Sequence, residues 1–267
     1  MFGTILSGMS TSMFEISVVS NNVANAGTTA FRKSTASFAD LYSGASPETV
    51  SRTSTGVGSL VEQTRQSTKQ GGFMERDGVL NMALAGSGMF VTTTPNPDGT
   101  PSNILSYTRD GEFSLDENGI LRSSTKDIVF GYDGVGGQNL QQLSVPFVNQ
   151  NDVQLTALEV SSNGMIMATY GSEEPLVVGQ IAVALFANST SLRQLGMGRF
   201  QESQTSGQAI LGSAGTEGFG SILTGSLESS NVDLTTELTS MMRAQQQFSG
   251  SSRILQTYSD MIEKLTR

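Results

Sequence analysis

Residues 2–26 read F-G-T-I-L-S-G-M-S-T-S-M-F-E-I-S-V-V-S-N-N-V-A-N-A, and the spacing within them sets the reading of the whole chain. Phe2, Ile5, Met9, Ser12, Ile16, Val19 and Val23 alternate steps of three and four, which puts one apolar line along a helix. Glu15 is the sole charge before Arg32. A helix so poor in charge is marginal alone in water and needs a partner. Asn21, Asn22 and Asn25 crowd its end, just before Gly27 and the first cationic pair, Arg32-Lys33. Asparagine is a mediocre helix former and a good terminator.

The partner is found at the other end of the chain. Residues 231–266 have the periodicity of a second helix, with Leu234, Leu238, Met241, Gln245 and Phe248 on one line. Leu255, Tyr258, Ile262 and Leu265 continue it after one short step. Asn231 or Ser230 is the expected N-cap, and Asp233 suits the positive end of the helix dipole. The two apolar lines most easily bury each other in a coiled-coil-like pair. Such a pair keeps surplus apolar surface, which points to a polymer.

Between the helices the pattern changes to short apolar or alternating runs divided by glycine turns. Asp110-Gly111, Asn118-Gly119 and Asn163-Gly164 are hairpin signals. Strands are expected at 155–160, 165–170 and 180–186, and V-L-N-M-A-L-A-G-S-G-M-F-V-T reads as strand, turn, strand. The expected class is α+β: paired N- and C-terminal helices flanking a mainly antiparallel β domain. The expected domains are an N-terminal assembly helix over 1–30, pairing with 231–267, then a linker or extended segment over 31–75. A β domain over 76–225 and a C-terminal assembly helix over 226–267 follow. Within the linker, V-G-S-L-V-E-Q-T-R-Q-S offers one strand. The stretch 195–221 reads as loop.

Composition removes whole classes of chemistry. The 267 residues include no cysteine and no histidine, which excludes His- or Cys-based triads and metal sites. Net charge is −9, so a nucleic-acid footprint is absent. The longest unbroken apolar run, 181–187, is too short to span a bilayer, and the N-terminus lacks the cations of a cleaved signal. Membrane insertion is not expected, and neither is a cofactor. Asp116–Gly119 matches part of a calcium loop but lacks its further ligands. Glu112, Asp116 and Glu117 read as solvated strand-edge carboxylates rather than a glycosidase pair. Gly196 and Gly198 make a lone G-x-G without a nucleotide fold. No enzymatic activity is expected.

The run N-N-V-A-N-A-G-T-T-A-F-R at 21–32 resembles the signature of the bacterial flagellar rod and hook axial family. Asn21-Asn22, Ala24-Asn25, Thr28, Phe31 and Arg32 match; Ala30 stands where the family usually has glycine. The run from Leu227 to Phe248 is similar to that family's closing helix. L-N-M-A-L-A-G-S-G-M-F-V and Y-T-R-D-G-E-F-S-L-D-E-N-G-I-L are similar to the start of its β domain. The resemblance implies a subunit of a helical tube that transmits motor torque, located in the flagellar basal body or hook. It would be exported by the flagellar type III apparatus without a cleaved signal. Its partners would be copies of itself, neighbouring rod and hook proteins, the export apparatus and the cap protein.

The assembly interface is then expected at Ile5, Met9, Ile16, Val19, Asn21, Asn22, Val23, Asn25 and Phe31 in the N-terminal part. Asn231, Leu234, Leu238, Met241, Phe248, Leu255, Tyr258, Ile262 and Leu265 complete it. Asn21 and Asn25 share a helix face, where their amides either bond a neighbour's backbone or cap the helix. Length favours a rod subunit, since the chain has no room for an outer hook domain, whereas F-R-K-S-T-A-S-F-A-D-L-Y-S resembles the hook version. A secreted β-rich ligand- or carbohydrate-binding protein is the more remote alternative.

Overall fold

The computed structural model describes residues 2–43, 55–134, 137, 139–149 and 151–266. Two compact units emerge. The first joins both ends of the chain and contains α1 (Phe2–Ala24), β1 (Ser34–Ser43), β2 (Thr55–Gln66) and α2 (Leu234–Thr266). The second spans residues 28–31 and 68–231 and is built of strands.

In the first unit, β1 and β2 pair as an antiparallel hairpin with bulges at Ser37/Phe38 and Leu41/Tyr42. The segment 31–75, expected to be linker or extended, therefore holds a paired hairpin. Its Ser-, Thr- and Gly-rich composition hid the alternation. The same small residues explain how β2 approaches α1. Thr11 and Ser59 share a hydroxyl contact at 3.3 Å, and the Ser59 N–H donates to Ser7 Oγ. Gly58 sits at φ +127°, and a Cβ there would stand 2.1 Å from Ser7 Oγ. By length and composition α1 could cross a membrane, although no bilayer-spanning helix was expected. Counting unbroken apolar runs misses it, because serine and threonine hide their hydroxyls in the helix's own backbone: Thr11 and Ser12 both donate to Gly8 O.

The second unit holds β3 (Phe73–Glu75), β4 (Met82–Ala85), β5 (Met89–Pro95), β6 (Pro101–Thr108), β7 (Phe113–Leu115), β8 (Leu121–Ser123), β9 (Ile128–Tyr132) and β10 (Leu140–Gln142). After them come β11 (Leu155–Val160), β12 (Met165–Tyr170), β13 (Leu176–Leu185), β14 (Arg193–Gly196), β15 (Arg199–Gln201), β16 (Ile210–Ser213), β17 (Ser221–Thr224) and β18 (Ser226–Glu228). The main sheet runs β11-β12-β13-β9-β5-β6-β15-β14, and all its pairings are antiparallel. β4 pairs with β17 and β3 with β18 in two small sheets. One core gathers Met82, Leu84, Phe90, Leu121, Ile166 and Ile181; another gathers Val91, Tyr107, Phe186 and Phe200.

The turns divide by mechanism. Asn118-Gly119 and Asn163-Gly164 join paired strands, with Gly119 at φ +74° and Gly164 at φ +80°. Asp110-Gly111 does not make a hairpin, because β7 pairs with β8 and not with β6. Gly111 is required there by close approach: a Cβ would lie 1.5 Å from the Met82 carbonyl oxygen. The run 195–221, read as loop, contains β15 and β16, strands too short to show a period in sequence.

Candidate assembly surface at the chain ends

Helix α2 begins after Asp233, whose Oδ1 accepts from the Thr236 N–H at 2.9 Å. Asp233 is thus the N-cap, three and two residues beyond the Ser230 and Asn231 favoured from sequence. The bond from Thr236 depresses the Asp233 carboxyl below its ordinary range. Asn231 instead belongs to the β unit. Its N–H donates to Phe31 O at 3.2 Å and its Nδ2 to Lys69 O at 2.7 Å. Beside them the Ala30 N–H donates to Glu228 O, and Ala30 takes φ +55°, the left-handed conformation a glycine would favour.

Glu228 anchors this part of the β unit from within. Its Oε1 accepts from the Gly71 N–H, and its Oε2 from Arg109 Nη1 at 3.2 Å. Arg109 also donates to the Leu84 and Gly86 carbonyls. Burial lowers the Arg109 pKa, and the Glu228 charge opposes that shift.

The asparagine cluster resolves into three environments. Asn21 is exposed. Asn25 folds back on its own helix, Nδ2 donating to Asn21 O at 2.9 Å. Asn22 is 1% exposed and uses its whole amide. Its Oδ1 accepts from the Ser34 N–H at 2.9 Å, and its Nδ2 donates to Ser34 O at 2.8 Å and to Glu237 Oε2 at 2.9 Å. The side chain stands in for a strand partner at the start of β1 while reaching across to α2. Lys33 Nζ meets the other oxygen of Glu237 at 3.1 Å, so the buried carboxylate is both paired and hydrogen-bonded.

Glu237 also redefines the inner line of α2. Glu237, Met241, Ala244, Phe248, Ser251, Leu255 and Tyr258 keep steps of four and three without interruption, and every one is buried or half-buried. The short step expected after Phe248 vanishes once polar residues are admitted to the line. On α1 the matching line is Gly8, Ser12, Glu15, Val19 and Asn22. Asn22 meets Glu237, while a Cβ on Gly8 would come 3.9 Å from Ser251 Oγ, so the helices run antiparallel. Ile5, Met9, Ile16 and Val23 are half-buried and Val19 is buried; on α2, Met241, Phe248, Leu255 and Tyr258 are half-buried.

Leu234 and Leu238, placed on the inner line from sequence, face away from it and are 49% and 48% exposed. With Met242 they form an outward apolar row at steps of four. Ile262 and Leu265 are exposed as well, and Leu265 reaches 77%. In the observed register Tyr258 lies level with the start of α1, so these last turns have nothing of α1 beside them. Phe2, Leu6 and Met13 make a further exposed apolar row on α1. The signals for Asn22 and Glu237 lay in the sequence as heptad positions filled by polar residues, which an apolar-only reading skips.

The comparisons with known proteins agree with this architecture. Residues 83–168 match the family described as flagellar hook protein FlgE/F/G D1 domain, and residues 223–267 the flagellar basal body rod FlgEFG protein C-terminal family. The flagellar basal-body rod protein FlgG of Bacillus subtilis is 31% identical over 270 residues, covering 97% of this chain and 95% of that protein. That of Borreliella burgdorferi is 30% identical, covering 97% and 94%. The flagellar hook protein FlgE of Salmonella typhimurium is 30% identical over 184 residues, covering 62% of this chain and 45% of the hook protein. A β unit framed by both chain ends, with identity running nearly end to end, places this chain in the flagellar rod and hook family of axial proteins.

Proposed function

We propose that the chain is a structural subunit of the flagellar basal-body rod, polymerising into a helical tube that transmits motor torque. The observation that carries this reading is coverage: the match extends over 97% of the chain and about as much of the rod relatives, but 45% of the hook protein. The exposed rows Leu234, Leu238, Met242 and Phe2, Leu6, Met13 support polymerisation, because apolar rows of that kind call for neighbours. In the tube, α1 and α2 pack as a coiled-coil-like pair with equivalent helices of other copies. The exposed Asn21 amide bonds a neighbour's backbone. In this reading the chain ends assemble and 76–225 forms the outer β part. Neighbouring rod and hook proteins adjoin it, and the type III export apparatus and a cap protein handle it on the way. Catalysis has no part in this role.

Immunogold microscopy of isolated hook–basal bodies, with antibody to residues 76–225, tests the reading. Label on the straight shaft between the rings supports it. Label along the curved tube would make the chain a hook subunit, and label on neither would return it to a secreted β-rich binding protein.

A further inference from the structure

The two ends of the main sheet carry features that fit each other. At one end β14 is the last strand, and all four of its residues are exposed. It turns into β15 through Gly196, Met197 and Gly198, at φ +88°, +54° and +69°. Three successive left-handed residues make a tight tip, and methionine is a poor choice for such a backbone. Yet Met197 stands there 77% exposed, with Leu195 beside it and the exposed Arg193 behind. The tip is an apolar knob with a cation at its base.

At the other end β11 is the first strand. Its residues Leu158, Glu159 and Val160 line an open groove of about 580 Å³ together with Glu75, Asp77 and Val79. Val79 is 45% exposed and Leu158 half-buried, while Val160 is buried in the core beneath them, and three carboxylates surround this apolar surface. Arg76 also lies there, drawn toward Glu112 at 4.0 Å. The surrounding sequence strengthens the negative field: residues 128–192 contain Asp133, Asp152, Glu159, Glu173 and Glu174 and no lysine or arginine. A groove of this volume accommodates a few side chains.

We infer that the β14–β15 tip of one copy docks in the β11 groove of a second copy, Met197 against Val79 and Leu158, with Arg193 toward the carboxylates. Knob and groove are different surfaces at opposite ends of one sheet, so the contact is heterologous. Such a contact repeats from copy to copy rather than closing as a dimer, and within the rod it extends along the helix. The inference rests on the rod reading and adds to it a specific contact between β units.

The absence of cysteine allows a direct test. Met197→Cys and Val79→Cys are expressed separately, together as two chains, and combined in one chain. Basal bodies are then isolated and oxidised. The expected result is a dimer when both chains are present and a ladder beyond dimer from the doubly substituted chain. No cross-link from assembled rods, or an equally strong dimer from Met197→Cys alone, overturns the contact and leaves the rod reading standing. Absence of the unsubstituted chain from basal bodies would sink the rod reading instead. The contact is then decided on the concentrated purified chain, where a ladder supports it and monomer overturns it. Should a cysteine variant fail to assemble, charge reads the same contact. Met197→Glu is expected to cut incorporation at least tenfold and Met197→Lys to preserve it; equal incorporation overturns the proposal.

Discussion

Asn22 on α1 donates to Glu237 on α2 at 2.9 Å, with both residues buried. The same Nδ2 serves Ser34 O. Asn22→Asp is nearly isosteric but removes both donations and sets a second carboxylate against the first. The expected loss is about 3 kcal/mol or more, the range for breaking a buried charged network. Asn21→Ala, at an exposed position, should stay within about 0.5 kcal/mol. Chemical denaturation of the full chain, followed by helix content, checks the contrast.

Leu234→Lys with Leu238→Lys should leave the β unit intact and the inner helix line undisturbed, since both leucines face outward. Incorporation into basal bodies should fall sharply. Immunoblots of export and of purified basal bodies separate the steps: normal export with lost incorporation is expected, while full incorporation would remove these leucines from the assembly surface.

Asp233 gives α2 a pH dependence of known sign. Its folded pKa is depressed by the bond from Thr236, so the cap contributes fully above the ordinary aspartate value of about 3.9. That contribution is lost as pH falls through the lower folded value. The Thr236 amide resonance should titrate with a midpoint below the ordinary value. Asp233→Asn, which caps without titrating, should abolish the transition.

Two glycines should respond oppositely to alanine. At Gly111 the Met82 carbonyl occupies the space of a Cβ, so Gly111→Ala should destabilise by roughly 3 kcal/mol, as an overpacked core does. Gly250, within α2, has nothing among the described residues within 4 Å of a Cβ, and Gly250→Ala should gain about 1 kcal/mol of helix propensity. Thermal unfolding measures both.

The two terminal helices and the hairpins built on Asn-Gly were legible because period and turn chemistry are local. What stayed hidden was set by contacts distant in sequence. Glu237 reads as a surface charge until Asn22 and Lys33, more than two hundred residues earlier, are placed against it. Asp110-Gly111 carries a hairpin signal, but Met82 determines what the glycine is for. The β1–β2 hairpin follows from small residues meeting Ser7 and Thr11, a tertiary reason with little sequence pattern. On α1 the expected apolar residues Ile5, Met9, Ile16 and Val23 are half-buried and Val19 is buried. On α2, apolarity placed Leu234 and Leu238 on the inner line, because outward apolar rows and inward ones look alike in sequence.

The placement of Glu237 also fixes a length. Asn22 and Gly8 lie fourteen residues apart, as do their counterparts Glu237 and Ser251, so a slide by seven residues would keep the same two helix faces together. Each such slip would change the span of the paired ends by about 10 Å. In one direction it would carry Glu237 level with Glu15, carboxylate to carboxylate; in the other it would carry it past the end of α1, away from the Asn22 amide. The charged residue in the seam therefore acts as a vernier stop, and every copy of the chain is held to the same measure.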